Sequence, residues 1–211
     1  MDKFIFGEVP YGYRLAVDRH VKLMAFAMAE VFANANYPIP VKPIDYNTLL
    51  NLKFKTFECM IKNAVEKGYA IFEDNFIANI VLVPYADSCH APYDALVKYI
   101  REAGYPEAAD DYAKTVDRIV NLEKKIKLRE NTMYIEIFAV QTEIQGQGYG
   151  KRLITQVINK CKKNGWDLFL YTNTLKNESI YKHFGFETVL ADGNENTGYT
   201  TFMINRAENK W

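Results

Sequence analysis

The stretch Met133-Tyr-Ile-Glu-Ile-Phe-Ala-Val-Gln-Thr-Glu-Ile-Gln-Gly-Gln-Gly-Tyr-Gly-Lys151 passes from strand to turn to helix start without a spacer. Met133 to Val140 is apolar, aromatic and β-branched with one charge, Glu136, and reads as a largely buried strand. Gly146, Gly148 and Gly150 follow in close order, and an amphipathic helix begins at once. Glycines let the backbone approach a ligand and adopt positive φ without a Cβ penalty. The first amides of the helix lack intrahelical acceptors, and its positive dipole end favours an anion. Strand, glycine turn and helix together form a build for holding phosphate.

Working outward, the helix spans about 150–164 with Leu153, Ile154, Val157, Ile158 and Cys161 inward. A strand at 168–172, a short helix near 177–184 and strands at 186–191 and about 198–205 complete the chain, with a turn at 193–198. Residues 133–172 have the length of a βαβ crossover, so their two strands are expected to be parallel neighbours. Upstream, 69–73 and 76–84 joined at Asp74-Asn75 read as an antiparallel hairpin. Residues 3–17, with Phe4 and Phe6 alternating, read as an edge strand or hairpin.

Asp18 is expected to cap a helix over 19–33 with Val21, Met24, Met28, Val31 and Phe32 inward. Residues 34–43 carry three prolines and read as a loop. A second helix runs from about Asn47 to Lys67, its apolar face formed by Leu50, Phe54, Phe57, Ile61 and Val65, and Gly68 stops it. Between 85 and 130 a helix starts near Pro92 and ends at Gly104, and a charged one runs from Asp110 or Asp111 to about Arg129. This helical insert could shape a substrate pocket. The expected fold is a mixed, mostly antiparallel α/β sheet with helices on both faces and one parallel pair, formed by all 211 residues as one domain.

Nearly half the residues are hydrophobic (49%), which excludes disorder as the main state. Equal numbers of basic and acidic residues, 26 each, give no basic surplus for nucleic acid. Cys59, Cys89 and Cys161 are far apart and odd in number, with no Cys/His ligand spacing, so neither a disulfide framework nor a metal site is expected. No apolar run has the length of a membrane span and the N-terminus has no signal-peptide pattern, so a cytoplasmic protein is expected.

The glycines do not fit the two most familiar nucleotide motifs. A P-loop needs Gly-Lys followed by Ser or Thr, whereas Arg152 follows Gly150-Lys151. A Rossmann fingerprint needs GxGxxG, and Gly146, Gly148 and Gly150 have the wrong last spacing. A glycine turn with no ligand stands as the bland reading. The pattern that fits is Gln/Arg-x-x-Gly-x-Gly/Ala, matched by Gln145-Gly146-Gln147-Gly148-Tyr149-Gly150. Farther on, Asn177-Glu-Ser-Ile-Tyr181-Lys-His-Phe-Gly185-Phe186 places Asn and Tyr on one helix face, with three residues between Tyr181 and a Gly-Phe pair. The two motifs, in this order and distance, resemble the phosphate loop and closing signature of the GNAT superfamily of N-acetyltransferases. The resemblance covers about 69–205, with 85–130 poorly matched and Thr142 where many members carry proline.

The resemblance implies acetyl-CoA as co-substrate, lying between two splayed parallel strands, and no metal. Phe138, Ala139 and Val140 would meet its pantetheine arm. Gln145, Gly146, Gln147, Gly148, Tyr149 and Gly150 would hold the pyrophosphate with Lys151 and Arg152 near it, and Asn177 would complete the cofactor site. Tyr181 resembles the tyrosine that many members use as acid at the sulfur; the plain alternative is a tyrosine packed on the sheet. Glu136, the lone charge of a buried strand, is the candidate base or else a structural ion-pair partner. The activity implied is direct acetyl transfer to a primary amine of a small molecule or peptide. A non-catalytic acyl-CoA-binding or sensing module on the same fold is the alternative, and an acyl group other than acetyl stays open. The expected partners are acetyl-CoA and an amine acceptor, without nucleic acid or membrane, in a monomer or homodimer.

Overall fold

The computed structural model describes residues 8–34, 44–88, 91–194 and 198–207. The elements run β1 (Arg14–Leu15), α1 (Asp18–Asn34), α2 (Tyr46–Lys67), β2 (Tyr69–Phe72), β3 (Ala78–Pro84), α3 (Ala91–Glu102), α4 (Pro106–Glu123), β4 (Thr132–Val140), α5 (Tyr149–Lys163), β5 (Asp167–Thr172), α6 (Leu175–His183), β6 (Glu187–Asp192) and β7 (Thr200–Asn205). The strands form one seven-stranded sheet in the order β1-β2-β3-β4-β5-β7-β6. All its pairs are antiparallel except β4–β5, the expected crossover. Of the expected N-terminal strand, Arg14–Leu15 alone among the described residues pairs with the sheet; Phe4 and Phe6, like most of the 34–43 loop, the centre of the 193–198 turn and Cys89, lie outside the described residues.

Both faces of the sheet are covered. On one, α1, α2 and α4 pack Met24, Met28, Phe57, Ile61 and Ile119 against Val81, Val83 and Phe169. On the other, α5 buries Leu153, Ile154, Val157, Ile158 and Cys161, its whole expected apolar face, against Ile80, Leu82 and Met133. At roughly 1.5–3 kcal/mol for each large apolar side chain, this face ties α5, and the turn that starts it, to β4.

Two helices, α2 and α4, depart from the sequence expectation. The buried positions of α2 are Leu52, Thr56, Phe57, Met60, Ile61 and Ala64, so its inner face is turned toward smaller residues, while Leu50, Phe54 and Val65 are only partly buried. Gly68 does end α2, but with φ −144 and not in the left-handed conformation. Its glycine is required by close packing, because a Cβ there would lie 2.1 Å from the Leu82 carbonyl oxygen. Helix α4 begins at Pro106, whose fixed φ suits the first turn, and stops at Glu123, short of the expected Arg129. Beyond Glu123 the chain leaves the helix axis, and Ile126 and Leu128 pack on the core.

Candidate active site

Strands β4 and β5 pair only at Thr132↔Asp167, Met133↔Leu168 and Tyr134↔Phe169. Beyond Tyr134 they part, although β4 continues to Val140 and β5 to Thr172. A bulge in β4 marks the same place. Val81 of β3 faces Ile137 and Leu82 faces Ile135, which leaves Glu136 as the extra residue. The bulge resets the alternation. Met133 and Ile135 pack with α5 and Tyr134 packs on the opposite face, whereas past the bulge Ile137 and Ala139 take that opposite face, with Phe138 and Val140 toward α5. Strict period two would not produce this phase change, and the bulge frees Glu136 from a regular ladder position.

The opening is a cavity of about 210 Å³. Its wall combines Glu136 and Phe138 of β4, Tyr171 and Thr172 of β5, Asn177 and Tyr181 of α6, Lys53 of α2, Tyr93 of α3, and Tyr112, Arg118 and Glu123 of α4. The candidate base and acid thus line one space, together with the expected Asn177. Burial pushes the Glu136 carboxyl up to about 7. Its Oε2 is buried with no hydrogen-bond partner among the described residues, which disfavours the ion-pair alternative. Tyr181 is half-buried, its ring 5.5 Å from that of Phe186 in an edge-on contact.

Helix α6 is held in place from both ends. Thr174 caps it by accepting from the Asn177 amide at 3.1 Å. Glu178, buried, accepts from the Tyr199 hydroxyl at 2.6 Å and the Thr188 hydroxyl at 2.9 Å, and pairs with Lys182 at 2.7 Å. The hydrogen bond from Lys182, then that from Tyr199, holds this carboxyl below the ordinary value. Asn177 and Tyr181 therefore project from a helix fastened to β6 and the start of β7.

The glycine turn lies past the end of β4. Gly146 and Gly148 have φ of 81° and 86°, and a Cβ at either would meet nothing within 4 Å. Both need glycine for conformation, and both border open space. Gly150 serves packing, since a Cβ there would lie 3.0 Å from Val140 Cγ2 and 3.3 Å from Phe138 Cζ. The first helical bond of α5 is Arg152 N–H to Gly148 O, so the amides of Tyr149, Gly150 and Lys151 have no acceptor within the helix. Those of Gln145 and Gln147 are engaged in the turn itself, donating to Thr142 O and Ile144 O. The Gln145 side chain donates back to Val140 O at 3.1 Å, bracing the turn on the strand. Lys151 is exposed, whereas Arg152 is committed elsewhere: it pairs with Glu73 at 2.6 Å, donates to the Tyr13 hydroxyl and stacks over the Tyr149 ring. Ala139, Val140 and the turn do not line the cavity; Phe138, which does, also contacts Gly150 closely and links the two places.

Residues outside the motifs complete the wall, and periodicity gave no sign of their role. Tyr93 and Tyr112 come from the insert, and the Tyr93 hydroxyl lies 3.3 Å from that of Tyr171. Burial pushes the phenols of Tyr93, Tyr112 and Tyr134 up. Glu123 is 3% exposed and raises Tyr85 through its charge, after burial. Arg118 leaves α4 to pair with Asp192 at 2.7 Å and to donate to Gly198 O and Thr200 Oγ1, joining the insert to the last hairpin. Among the described residues no cluster of His, Cys, Asp and Glu could hold a metal ion, and no helix is long and apolar enough to cross a membrane.

Comparison with known proteins adds three findings. Residues 112–203 match the family profile of the acetyltransferase (GNAT) domain. An uncharacterized N-acetyltransferase of Schizosaccharomyces pombe is 35% identical over 71 residues, which span 32% of this chain and 29% of the relative's length. Among solved structures, arylalkylamine N-acetyltransferase 2 from Aedes aegypti superposes with a TM-score of 0.61 at 12% identity, covering 93% of this chain and 98% of that one. The NatC complex bound to Gag peptide and CoA superposes with a TM-score of 0.50 at 14% identity, over 93% and 98%. At such identities the structural likenesses speak for the fold.

Proposed function

We propose that this chain is an acetyltransferase of the GNAT superfamily, whose domain profile residues 112–203 match, and that it transfers an acetyl group from acetyl-CoA directly to a primary amine of a small molecule or peptide. One observation carries the reading: Glu136 and Tyr181, from separate elements, line the same cavity where β4 and β5 part. The bound CoA of the NatC neighbour, on the same fold, is consistent with the choice of co-substrate. The pyrophosphate would rest on the amides of Gly148 to Lys151, in the open space beside Gly146 and Gly148, with Lys151 nearby. Pantetheine would run along the edge of β4 from Phe138 to Val140, and Asn177 would border its thiol end.

Each residue then has one task. Glu136 removes the proton of the acceptor ammonium, directly or through water; its carboxyl, raised to about 7 by burial, ionises around neutral pH and can both take up and release a proton there. The amine nitrogen bonds to the acetyl carbon, the carbon–sulfur bond breaks, the Tyr181 hydroxyl gives its proton to the departing sulfur, and the proton shed by the acylated nitrogen returns to the Tyr181 oxygen. An ordinary phenol, with a reference value of about 10, carries its proton at pH 7.

The test is a thermal unfolding scan with acetyl-CoA on the parent and on Gly148→Asp. Ligand at about a hundred times its Kd adds roughly 2.7 kcal/mol, a rise of several degrees for a chain of this size. Gly148 has φ 86, so aspartate also strains the backbone, and the quantity compared is the rise, not the starting temperature. The parent is expected to rise and the variant not. Tyr181→Phe is expected to keep the rise but lose ~10²–10⁴-fold in thiol release with an accepted amine. A parent that rises yet releases no thiol with any amine would favour the acyl-CoA-binding module.

A further inference from the structure

Lys53 is the cavity group for which direct acetyl transfer has no use. It reaches the cavity from α2, on the helical side of the wall, while Glu136 reaches it from the β4 bulge. Among the described residues no hydrogen bond or ion pair engages its ammonium. A charge held partly buried among protein atoms without a counterion is costly, and a ligand of opposite charge would offset that cost. Burial alone lowers Lys53 to about 8, and burial alone raises Glu136 to about 7. Among the described residues no ion pair joins the two. The cavity thus presents a cation from α2 and, apart from it, a carboxylate at the bulge. Tyr134 feels the charges of both Glu123 and Glu136, which puts the two acidic groups in one neighbourhood.

We propose that the acceptor is a zwitterion, an amino acid or ω-amino acid, whose carboxylate pairs with Lys53 while its amine faces Glu136. This deepens the transferase reading and rests on it for the fate of the amine, though not for the binding. The tyrosines of the insert suit a compact body between the two charged groups. An acceptor with positive charge at both ends, such as a polyamine, would set an ammonium against Lys53 and is disfavoured.

The test compares α-amino acids, 4-aminobutyrate and 6-aminohexanoate, each with its own amide, as acceptors for thiol release and as ligands by calorimetry in the presence of CoA. Amidation removes only the negative charge. At least one acid is expected to exceed its amide by ~10- to 100-fold in kcat/KM and in affinity, the range of a charge-assisted hydrogen bond. Lys53→Met is expected to bring that ratio close to one, and Lys53→Arg to restore part of it. If every acid and its amide behave alike in the parent, or Lys53→Met leaves the ratio unchanged, the proposal is overturned. A carboxylate preference in binding that depends on Lys53, without thiol release from any compound, would support the site and sink the transferase reading instead.

Discussion

Glu136 sits where a carboxylate is least comfortable, and that discomfort is measurable in two ways. If it is the base, activity rises with pH through about 7, as its raised carboxyl ionises. Glu136→Gln is then expected to lower kcat by ~10²–10⁴-fold and to remove this acidic limb. Stability responds to pH with the opposite sign. A carboxyl whose folded value is raised from 4.5 to about 7 favours the fold while protonated, and that contribution is lost as pH rises through about 7. The Gln variant should therefore melt no lower than the parent at pH 8; a drop of several degrees would mean that Glu136 has a structural partner. The residue was legible as the single charge of an apolar strand. The bulge that isolates it was not, because a one-residue mismatch between β3 and β4 leaves no mark in either strand's own pattern. Lys53 was equally hidden, since a lysine on a helix ordinarily signals a solvated face.

At the scale of elements, sequence patterning was clearest where one face meets one layer. Helix α5 buries its five expected residues because a single apolar stripe meets a single sheet face. Helix α2 meets β3, α1 and α3, and its inner face turned toward Thr56 and Ala64, small residues that let neighbours approach. The site follows the same division. Its glycine turn and Asn177-to-Phe186 block could be read from local spacing, whereas the wall contributed by α3 and α4 depends on contacts far apart in the chain. Arg118 is the main such contact, binding α4 to Asp192, Gly198 and Thr200. Arg118→Ala should loosen the insert against the last hairpin. Steady-state kinetics are expected to show acceptor KM raised by ~10-fold, the loss of roughly 1.4 kcal/mol of positioning, with acetyl-CoA KM within a factor of two or so. A change mainly in the acetyl-CoA term would contradict the separation of the two binding regions.

Across the whole molecule, the sheet order was deducible in part: the crossover announced β4 beside β5, and the hairpins announced β2–β3 and β6–β7. The placement of β7 between β5 and β6 was not, because pairing β5 with β7 needs no local signal in the chain. The join between the two halves of the sheet is also narrow. Strands β1–β4 and strands β5–β7 share three residue pairs, closed off at one end by the buried Asp167, which Arg129 grips and to which the Ala207 amide donates at 2.8 Å. Beyond those pairs, β4 from Ile135 to Val140 is bonded to β3 on one edge and has no neighbouring strand on the other. The protein in this state is a zipper fastened only at its base, and a ligand backbone laid in the gap would act as the missing teeth. Amide hydrogen exchange should register that closure. The β4 amides not bonded to β3 should exchange quickly in the ligand-free protein and slow markedly with CoA, while Met133 and Tyr134, already between paired strands, change little.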